Sequence, residues 1–324
     1  MKNKGSSCSC LVSGGAGFIG SHLTERLLNE GYGVKVVDNF SSGRRENLHN
    51  DLNNASLAIF DMDLKRESTR LNRLVQQCEL TFHFAANPEV RVGETEPRVH
   101  FEENVVATFN LLEAVRKTKS PKTIVFASTS TVYGEASKIP TPEDYAPLIP
   151  ISTYGASKLA CEALITSYAH TFNHRALLLR FANIIGKGSD HGVIVDFIKK
   201  VRANPKQLEI LGDGTQTKSY MHINDCVNAI THLTKRFLNG AQKVDIYNVG
   251  SADTITVKDI ARIVASVTHH PEIAFKCTGG VDGGRGWKGD VKTMQLSIDK
   301  LLGTGWKPRY NSKQAVQLAT RQLQ

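Results

Sequence analysis

The sequence predicts an α/β fold, a Rossmann-type doubly wound parallel sheet with a smaller C-terminal α/β lobe. Three observations predict it. Short apolar runs alternate with segments of helical period through the first half of the chain. The first of these runs leads directly into a glycine-rich turn. A later run ends in a cluster of hydroxyl side chains, at the place where open α/β sheets present their ligands. Length agrees, since 324 residues amount to about two domains. With 40% hydrophobic and 22% charged residues, the chain is neither disordered, collagen-like nor coiled-coil. No stretch approaches the ~18 uninterrupted apolar residues of a membrane span.

Residues 9–13 (SCLVS) read as a short buried strand. Gly14, Gly17 and Gly20 follow at intervals of three, and Phe18-Ile19 open a helix in which Leu23, Leu27 and Leu28 recur at helical spacing up to Gly31. A second strand, 34–37, ends in Asp38-Asn39. Strand, glycine turn, helix, strand and acid form a Rossmann-type dinucleotide unit. Gly14 allows the tight turn, Gly17 lets backbone approach a pyrophosphate, and Gly20 lets the helix pack on the sheet. The helix start offers free N–H groups and a positive dipole end to phosphates. Asp38 is placed to accept hydrogen bonds from an adenosine ribose. Its charge disfavours a 2′-phosphate, so NAD is expected rather than NADP.

Further strands are expected at 57–60, ending in Asp61-Met62, at 81–86 (TFHFAA, closing on Ala85-Ala86), and at 122–127. Between the last two, Asn104-Val105 opens a helix through Val115. His83 lies on an apolar strand and reads as a packed, hydrogen-bonded core histidine rather than a catalytic one.

The net charge is +9. From Phe275 to Gln324 there are nine Lys or Arg, three Asp and no Glu, so this segment carries six of those charges. The charges are scattered, without a basic block or interleaved aromatics. That favours a solvated face or a diphosphate ligand over nucleic acid. The six cysteines (Cys8, Cys10, Cys78, Cys161, Cys226 and Cys277) make no C-x-x-C pair, and no histidines stand at zinc spacing. No metal site is expected. All six read as reduced thiols in a cytoplasmic protein. The N-terminus, MKNKGSSCSCLVSGG, has only a short apolar patch and does not read as a signal peptide.

The catalytic candidates follow the strand at 122–127. Ser128-Thr129-Ser130-Thr131-Val132-Tyr133-Gly134 ends it, and Tyr154-Gly155-Ala156-Ser157-Lys158 comes soon after. Tyr154 and Lys158, four apart, share a helix face. A phenol titrates near 10 and is a poor base at neutral pH. A nearby ammonium and a cationic nicotinamide both favour the phenolate. Lys158 can also hold the nicotinamide ribose. Tyr154 can then remove a proton from a substrate hydroxyl as hydride leaves its carbon.

These segments together resemble the extended short-chain dehydrogenases, in particular the NAD-dependent epimerases and dehydratases, and within them the archaeal-type UDP-glucose (UDP-galactose) 4-epimerases. VVDNFSSGRRENL and FAANPEVR carry the likeness, with RFAN at 180–183, HGVIVDF at 191–197, LGDGTQTKSY at 211–220 and LGTGWKP at 302–308. The resemblance implies that Asp61 and Met62 contact adenine, that Ala85 and Ala86 run beside the cofactor, and that Asn104 supports the site. It makes Thr129 the catalytic hydroxyl, with the adjacent Ser128 open as a substitute. It assigns the nucleotide sugar to Asn183, Val193, Lys218, Arg285 and Asp290. Arg91 is assigned either to the sugar or to structure.

The same resemblance bears on the reaction. The 4,6-dehydratases carry an Asp-Glu pair after the Thr, and the UDP-glucuronate decarboxylases a Glu; here Ser130 and Thr131 stand there. What remains is oxidation and re-reduction at C4 of a UDP-sugar through a 4-keto intermediate, with NAD recycled. Another nucleotide-sugar oxidoreductase, a UDP-uronate 4-epimerase and a non-catalytic binding protein stay open as alternatives. Met294, at the position that gates sugar size, leaves plain and N-acetyl sugars both open. Two departures stand out. Lys218 replaces an arginine, keeping charge but losing the bidentate fork, and the R-P-G-D motif reads Trp287-Lys288-Gly289-Asp290 with Arg285 two residues early. The implied organisation is a dinucleotide domain, 1–183, and a nucleotide-sugar lobe, 184–324, with about 219–250 returning to the first sheet. A cleft between them would take the ligands. The implied assembly is a homodimer through the helices at 105–115 and 159–168.

Overall fold

A computed structural model describes residues 9–66 and 68–324. The first stretch runs β1 (Ser9–Ser13), α1 (Phe18–Asn29), β2 (Gly33–Asp38), β3 (Leu57–Asp61), α2 (Thr69–Gln76) and β4 (Leu80–His83). Next come α3 (Val92–Thr95), α4 (Pro97–His100), α5 (Ala107–Arg116), β5 (Thr123–Thr129), α6 (Thr153–Thr171) and β6 (Arg175–Phe181). The chain continues through β7 (Asn183–Ile185), α7 (Val193–Ala203), β8 (Gln207–Ile210), β9 (Thr217–Lys218), β10 (Tyr220–His222), α8 (Ile223–Asn239) and β11 (Val244–Val249). It ends with β12 (Ile255–Thr256), α9 (Val257–Val267), β13 (Ala274–Cys277), β14 (Thr293–Met294), α10 (Asp299–Leu302) and α11 (Ser312–Leu323).

Seven strands make one sheet in the order β11-β6-β5-β4-β1-β2-β3, with the pairs around β1 and β4 all parallel. The order reverses between β1 and β4. Their carboxyl ends therefore form a topological switch point, the place where such sheets bind ligands. Residues 244–249 form the edge strand of this sheet, beside β6. Right-handed crossovers place helices over parallel strands, and burial follows: all seven residues of β5 are buried.

By contacts the chain divides into two compact units that interleave in sequence. One comprises 9–128, 157–179 and 231–246; the other comprises 129–156, 180–230 and 247–324. The first has its own core, built on Leu11, Leu71, Leu111, Phe126 and Ile165. The second has a core of Phe197, Leu208, Ile260 and Val316 under three small sheets.

The helix expected to open at Asn104 starts earlier. The helical run begins at Pro97 and passes through a π-helical stretch, Phe101–Val106, before α5. The wider turn admits one extra residue and leaves Asn104 only 1% exposed. Its amide donates to Ser157 Oγ at 2.8 Å and its carbonyl accepts from Asn87 N–H at 2.8 Å. Cys10, Cys78, Cys161, Cys226 and Cys277 are free thiols, and Cys8 lies outside the described residues. Among the described residues no helix is long and apolar enough to cross a membrane.

His83 is a core residue, as its strand context implied. It is 1% exposed, with Nδ1 at 2.7 Å from Ser13 Oγ and Nε2 at 2.8 Å from Thr108 Oγ1. Burial pushes its pKa down to about 3, with the Lys158 charge adding to the effect. The unfolded chain binds this proton below about 6.5 and the folded chain does not until about 3, so stability is lost as pH falls through that window. From pH 7 to pH 5 this one group removes about 2 kcal/mol. Urea unfolding at both pH values is expected to show a smaller acid loss, by that amount, in His83→Gln. Equal losses in both proteins would refute a neutral buried imidazole.

Candidate active site

The three glycines of the turn have distinct surroundings, and one of them differs from expectation. Gly14 has φ +69°, and a Cβ there would stand 2.5 Å from Ala85 N, at the end of β4. Gly20 packs on the turn itself rather than on the sheet: its Cβ would stand 2.0 Å from the Gly14 carbonyl oxygen. Gly17 differs from both. A Cβ there would meet only that same carbonyl, at 3.3 Å, so its outer side is open. Gly17 is also the N-cap of α1, with no capping side chain and no acid in the first turn. The early N–H groups of the helix, from Phe18 and Ile19 onward, thus face an open site with a positive dipole end. Such a helix end suits an anion.

Asp38 ends β2, and both its oxygens are engaged. Oδ2 accepts from Ala16 N–H at 2.9 Å and Oδ1 from Phe40 N–H at 2.8 Å. Burial raises its carboxyl pKa despite those two bonds. Each carboxylate oxygen keeps a further acceptor site, so the group still fits a ribose hydroxyl. Asn39 folds on itself, its Oδ1 accepting from Ser41 N–H and Oγ–H. Asp61 ends β3 exposed and 3.4 Å from Arg45 Nη2, while Met62 N–H donates to the Asp38 carbonyl. The turn, Asp38, Asp61, Met62, Ala85 and Ala86 are thus set along the carboxyl ends of β1 to β4. This set suits a dinucleotide.

Lys158 is 2% exposed on α6, and its Nζ donates to the Ala127 carbonyl of β5 at 2.7 Å and lies 4.7 Å from the Phe126 ring centroid. Burial pushes its pKa down to about 8, while Glu162 acts in the opposite sense. It therefore carries its charge at neutral pH. Tyr154 stands one helical turn before it, half-buried. The following Gly155 lets the helix start approach the hydroxyl-rich turn, for a Cβ there would stand 2.7 Å from the Thr131 carbonyl.

Ser128 and Thr129, neighbours in sequence, are used differently. Strand alternation sends their side chains to opposite faces. Ser128 is 3% exposed and its hydroxyl donates to the Glu162 carboxylate at 2.5 Å. Thr129 ends the strand, and its Oγ1 accepts from Thr131 N–H and lies 3.1 Å from Thr131 Oγ1. Ser128 is thus committed inward, and Thr129 remains the catalytic candidate.

The candidates for the nucleotide sugar are mostly held by internal partners. Lys218 Nζ lies 2.5 Å from Asp290 Oδ1 and 5.5 Å from the Trp287 ring centroid. Asp290, 3% exposed, also accepts from Gly286 N–H. Arg285 donates to the Glu135 carboxylate and to the Asp282 carbonyl. Asn183 donates to the Ser219 carbonyl at 3.0 Å, Val193 opens α7, and Arg91 pairs with Glu89 at 3.1 Å, half exposed. Sequence reasoning missed Glu162, Thr131 as partner of Thr129, Glu135 as partner of Arg285, and Gln216, which is 2% exposed with an unpartnered Oε1. Glu162 had a local signal, four residues beyond Lys158 on one helix face, and Gln216 another, inside the LGDGTQTKSY segment. Among the described residues no group of His, Cys, Asp and Glu could hold a metal ion.

The family model for the NAD dependent epimerase/dehydratase family matches residues 10–250. A protein of Methanocaldococcus jannaschii, provisionally named a UDP-glucose 4-epimerase, is 32% identical over 310 residues, spanning 94% of this chain and 95% of its own. A crystal structure of a UDP-galactose 4-epimerase shares 46% identity and a TM-score of 0.84, covering 97% of this chain and 98% of that one. The Thermotoga maritima UDP-glucose 4-epimerase, solved with UDP-glucose, shares 30% identity and a TM-score of 0.83 over the same fractions.

The two glycine roles separate by mutation. Gly20→Ala should cost about 2–3 kcal/mol in urea unfolding, because backbone must move. Gly17→Ala, at a φ of −75°, should stay within about 1 kcal/mol of the unmodified protein. Equal costs would show that Gly17 serves packing alone.

Proposed function

The chain belongs to the NAD dependent epimerase/dehydratase family, and on that premise we propose that it is an enzyme that epimerises a UDP-sugar at C4, in the manner of UDP-glucose/UDP-galactose 4-epimerases. The observation that carries the reading is the arrangement around α6. Tyr154 and Lys158 stand one turn apart, with the Lys158 ammonium anchored at the end of the strand that Thr129 closes.

The α1 N-terminus at Gly17, Phe18, Ile19 and Gly20 would hold the NAD diphosphate. Asp38, Asp61, Met62, Ala85 and Ala86 would hold its adenosine half, and Tyr154 and Lys158 the nicotinamide end. NAD, when bound, supplies the acceptor and donor of hydride. Lys158 favours the Tyr154 phenolate by charge. Tyr154 takes the proton of the C4 hydroxyl, and Thr129, oriented by Thr131, shares that hydrogen bond. After the 4-keto sugar turns over, C4 takes hydride back on its other face and Tyr154 returns the proton to the C4 oxygen. Ser130 and Thr131 bring no carboxyl group to the sugar, which supports a reaction confined to one carbon.

Asn183, Val193, Lys218, Arg285 and Asp290 receive the uridine diphosphate, with Lys218 and Arg285 supplying charge. A homodimer is supported by exposed aromatics on the α5–α6 face. Phe101, Phe109 and Phe172 are 59%, 42% and 40% exposed, and Tyr168 packs between the last two. Free thiols at all five described cysteines support a cytoplasmic setting.

Proton NMR of the anomeric region, with UDP-glucose, UDP-N-acetylglucosamine and UDP-glucuronate in separate tubes, tests the activity. A galacto epimer should appear in at least one tube, and Tyr154→Phe should cut the rate by about 10²–10⁴-fold. Silence in all three from folded protein containing NAD would sink the reading. Sedimentation should give a dimer mass; a monomer at micromolar concentration would remove the assembly proposal.

A further inference from the structure

Glu162 is a carboxylate buried to 4% exposure in the core of the first unit, and no step proposed above uses it. It follows Lys158 by four residues on α6, so the two side chains lie on one face. It accepts the Ser128 hydroxyl at 2.5 Å. Ser128 sits between Ala127, whose carbonyl takes the Lys158 ammonium, and Thr129. A core carboxylate is costly to bury unless it is both hydrogen-bonded and opposite a charge. Ser128 supplies the first, and Lys158, four residues back on the same helix face, is within electrostatic reach for the second.

Lys158 has the matching need, for its buried ammonium donates to a neutral carbonyl. The ionisable groups that face it are His83 from β4, Cys161 and Glu162 from its own helix, and Tyr154 one turn before. His83 is neutral above about 3. Burial raises the Cys161 thiol, which donates to the Asn104 carbonyl and so stays a thiol near neutral pH. Of these neighbours, Glu162 is the carboxyl group, and it acts on Lys158 against the effect of burial.

We propose that Glu162 is a positioning residue for Lys158: its buried carboxylate is the counter-charge that keeps the lysine protonated in the core, and Ser128 holds it in place. The role rests on the epimerase reading for its catalytic consequence, since Lys158 must be charged to favour the Tyr154 phenolate. It does not rest on that reading for its physical content. Glu162 acts through Lys158 and touches neither sugar nor cofactor. Ser128 thereby acquires a duty distinct from that of Thr129.

The test uses the protein as purified, labelled with ¹³Cε-lysine, with the Lys158 resonance identified by its loss in Lys158→Met. The Lys158 titration midpoint should stand near 8 in the unmodified protein. In Glu162→Gln, which keeps volume and an acceptor for Ser128, it should move down by about one pH unit or more. In Ser128→Ala, which keeps the charge, it should move by less than half that. The alkaline limb of the pH–rate profile should shift downward with the Gln variant. An unmoved midpoint in Glu162→Gln overturns the proposal and leaves Glu162 a structural acceptor. If that variant does not fold, Glu162→Asp decides. Retained charge should hold the midpoint within about half a pH unit, and a larger drop overturns the proposal. Failure of the unmodified protein to convert any UDP-sugar removes the epimerase reading while leaving the midpoint comparison intact.

Discussion

Lys158 is nearly fully buried, and its ammonium donates to a strand carbonyl at the carboxyl end of β5. The rest of the candidate site depends on that bond. It fixes α6 along the end of β5, and the Ser128–Glu162 bond fixes the same helix one turn further on. With the helix so placed, Tyr154 has a set position one turn before Lys158. Gly155 then lets the helix start touch the turn that carries Thr131. An ammonium in a low-dielectric site is costly, and here the cost appears as a pKa lowered to about 8. The same desolvation strengthens every interaction the charge makes with a nearby phenol.

A second constraint is steric. Two glycines of the turn are required by backbone packing, Gly14 against the end of β4 and Gly20 against Gly14. Together they bring the β1 and β4 ends close enough that the turn and Ala85 share one surface at the switch point. Gly17 is then free to leave the helix start uncovered. The polar network of the second unit is equally specific. Arg180 donates to the Tyr133 hydroxyl and the Glu143 carbonyl, and Tyr133 donates to the Asn248 carbonyl oxygen. Asn248 in turn donates to the carbonyls of Thr141 and Ser297. Five chain segments meet in that network, and it steadies the stretch that follows Thr129.

What could be read from the sequence was local. The glycine spacing, the Tyr154–Lys158 interval and the acid ending β2 each lie within one turn or one strand–helix unit, where chain geometry leaves few choices. His83 was readable as core because its strand is apolar throughout. The partners that decide each side chain's state were not readable. Glu135 and Arg285 are 150 residues apart and Lys218 and Asp290 72 apart. Pairing at such distances follows from tertiary placement, which no spacing rule encodes. The π-helical stretch at Asn104 was missed for another reason. One added residue changes the facing of a helix without changing its composition. In sequence Ser128 and Thr129 read as near equivalents, because their difference is one of strand face, visible only once β5 has a register.

The central claim is that chemistry is confined to one carbon, with the hydrogen taken from C4 returned to C4 in the same site. Epimerisation of a UDP-sugar deuterated at C4, in water with unlabelled NADH added, tests it most directly. Full retention of deuterium at C4 of the epimer is expected. Deuterium lost to solvent or to the dissolved cofactor pool, or a keto sugar released in stoichiometric amount, would contradict it.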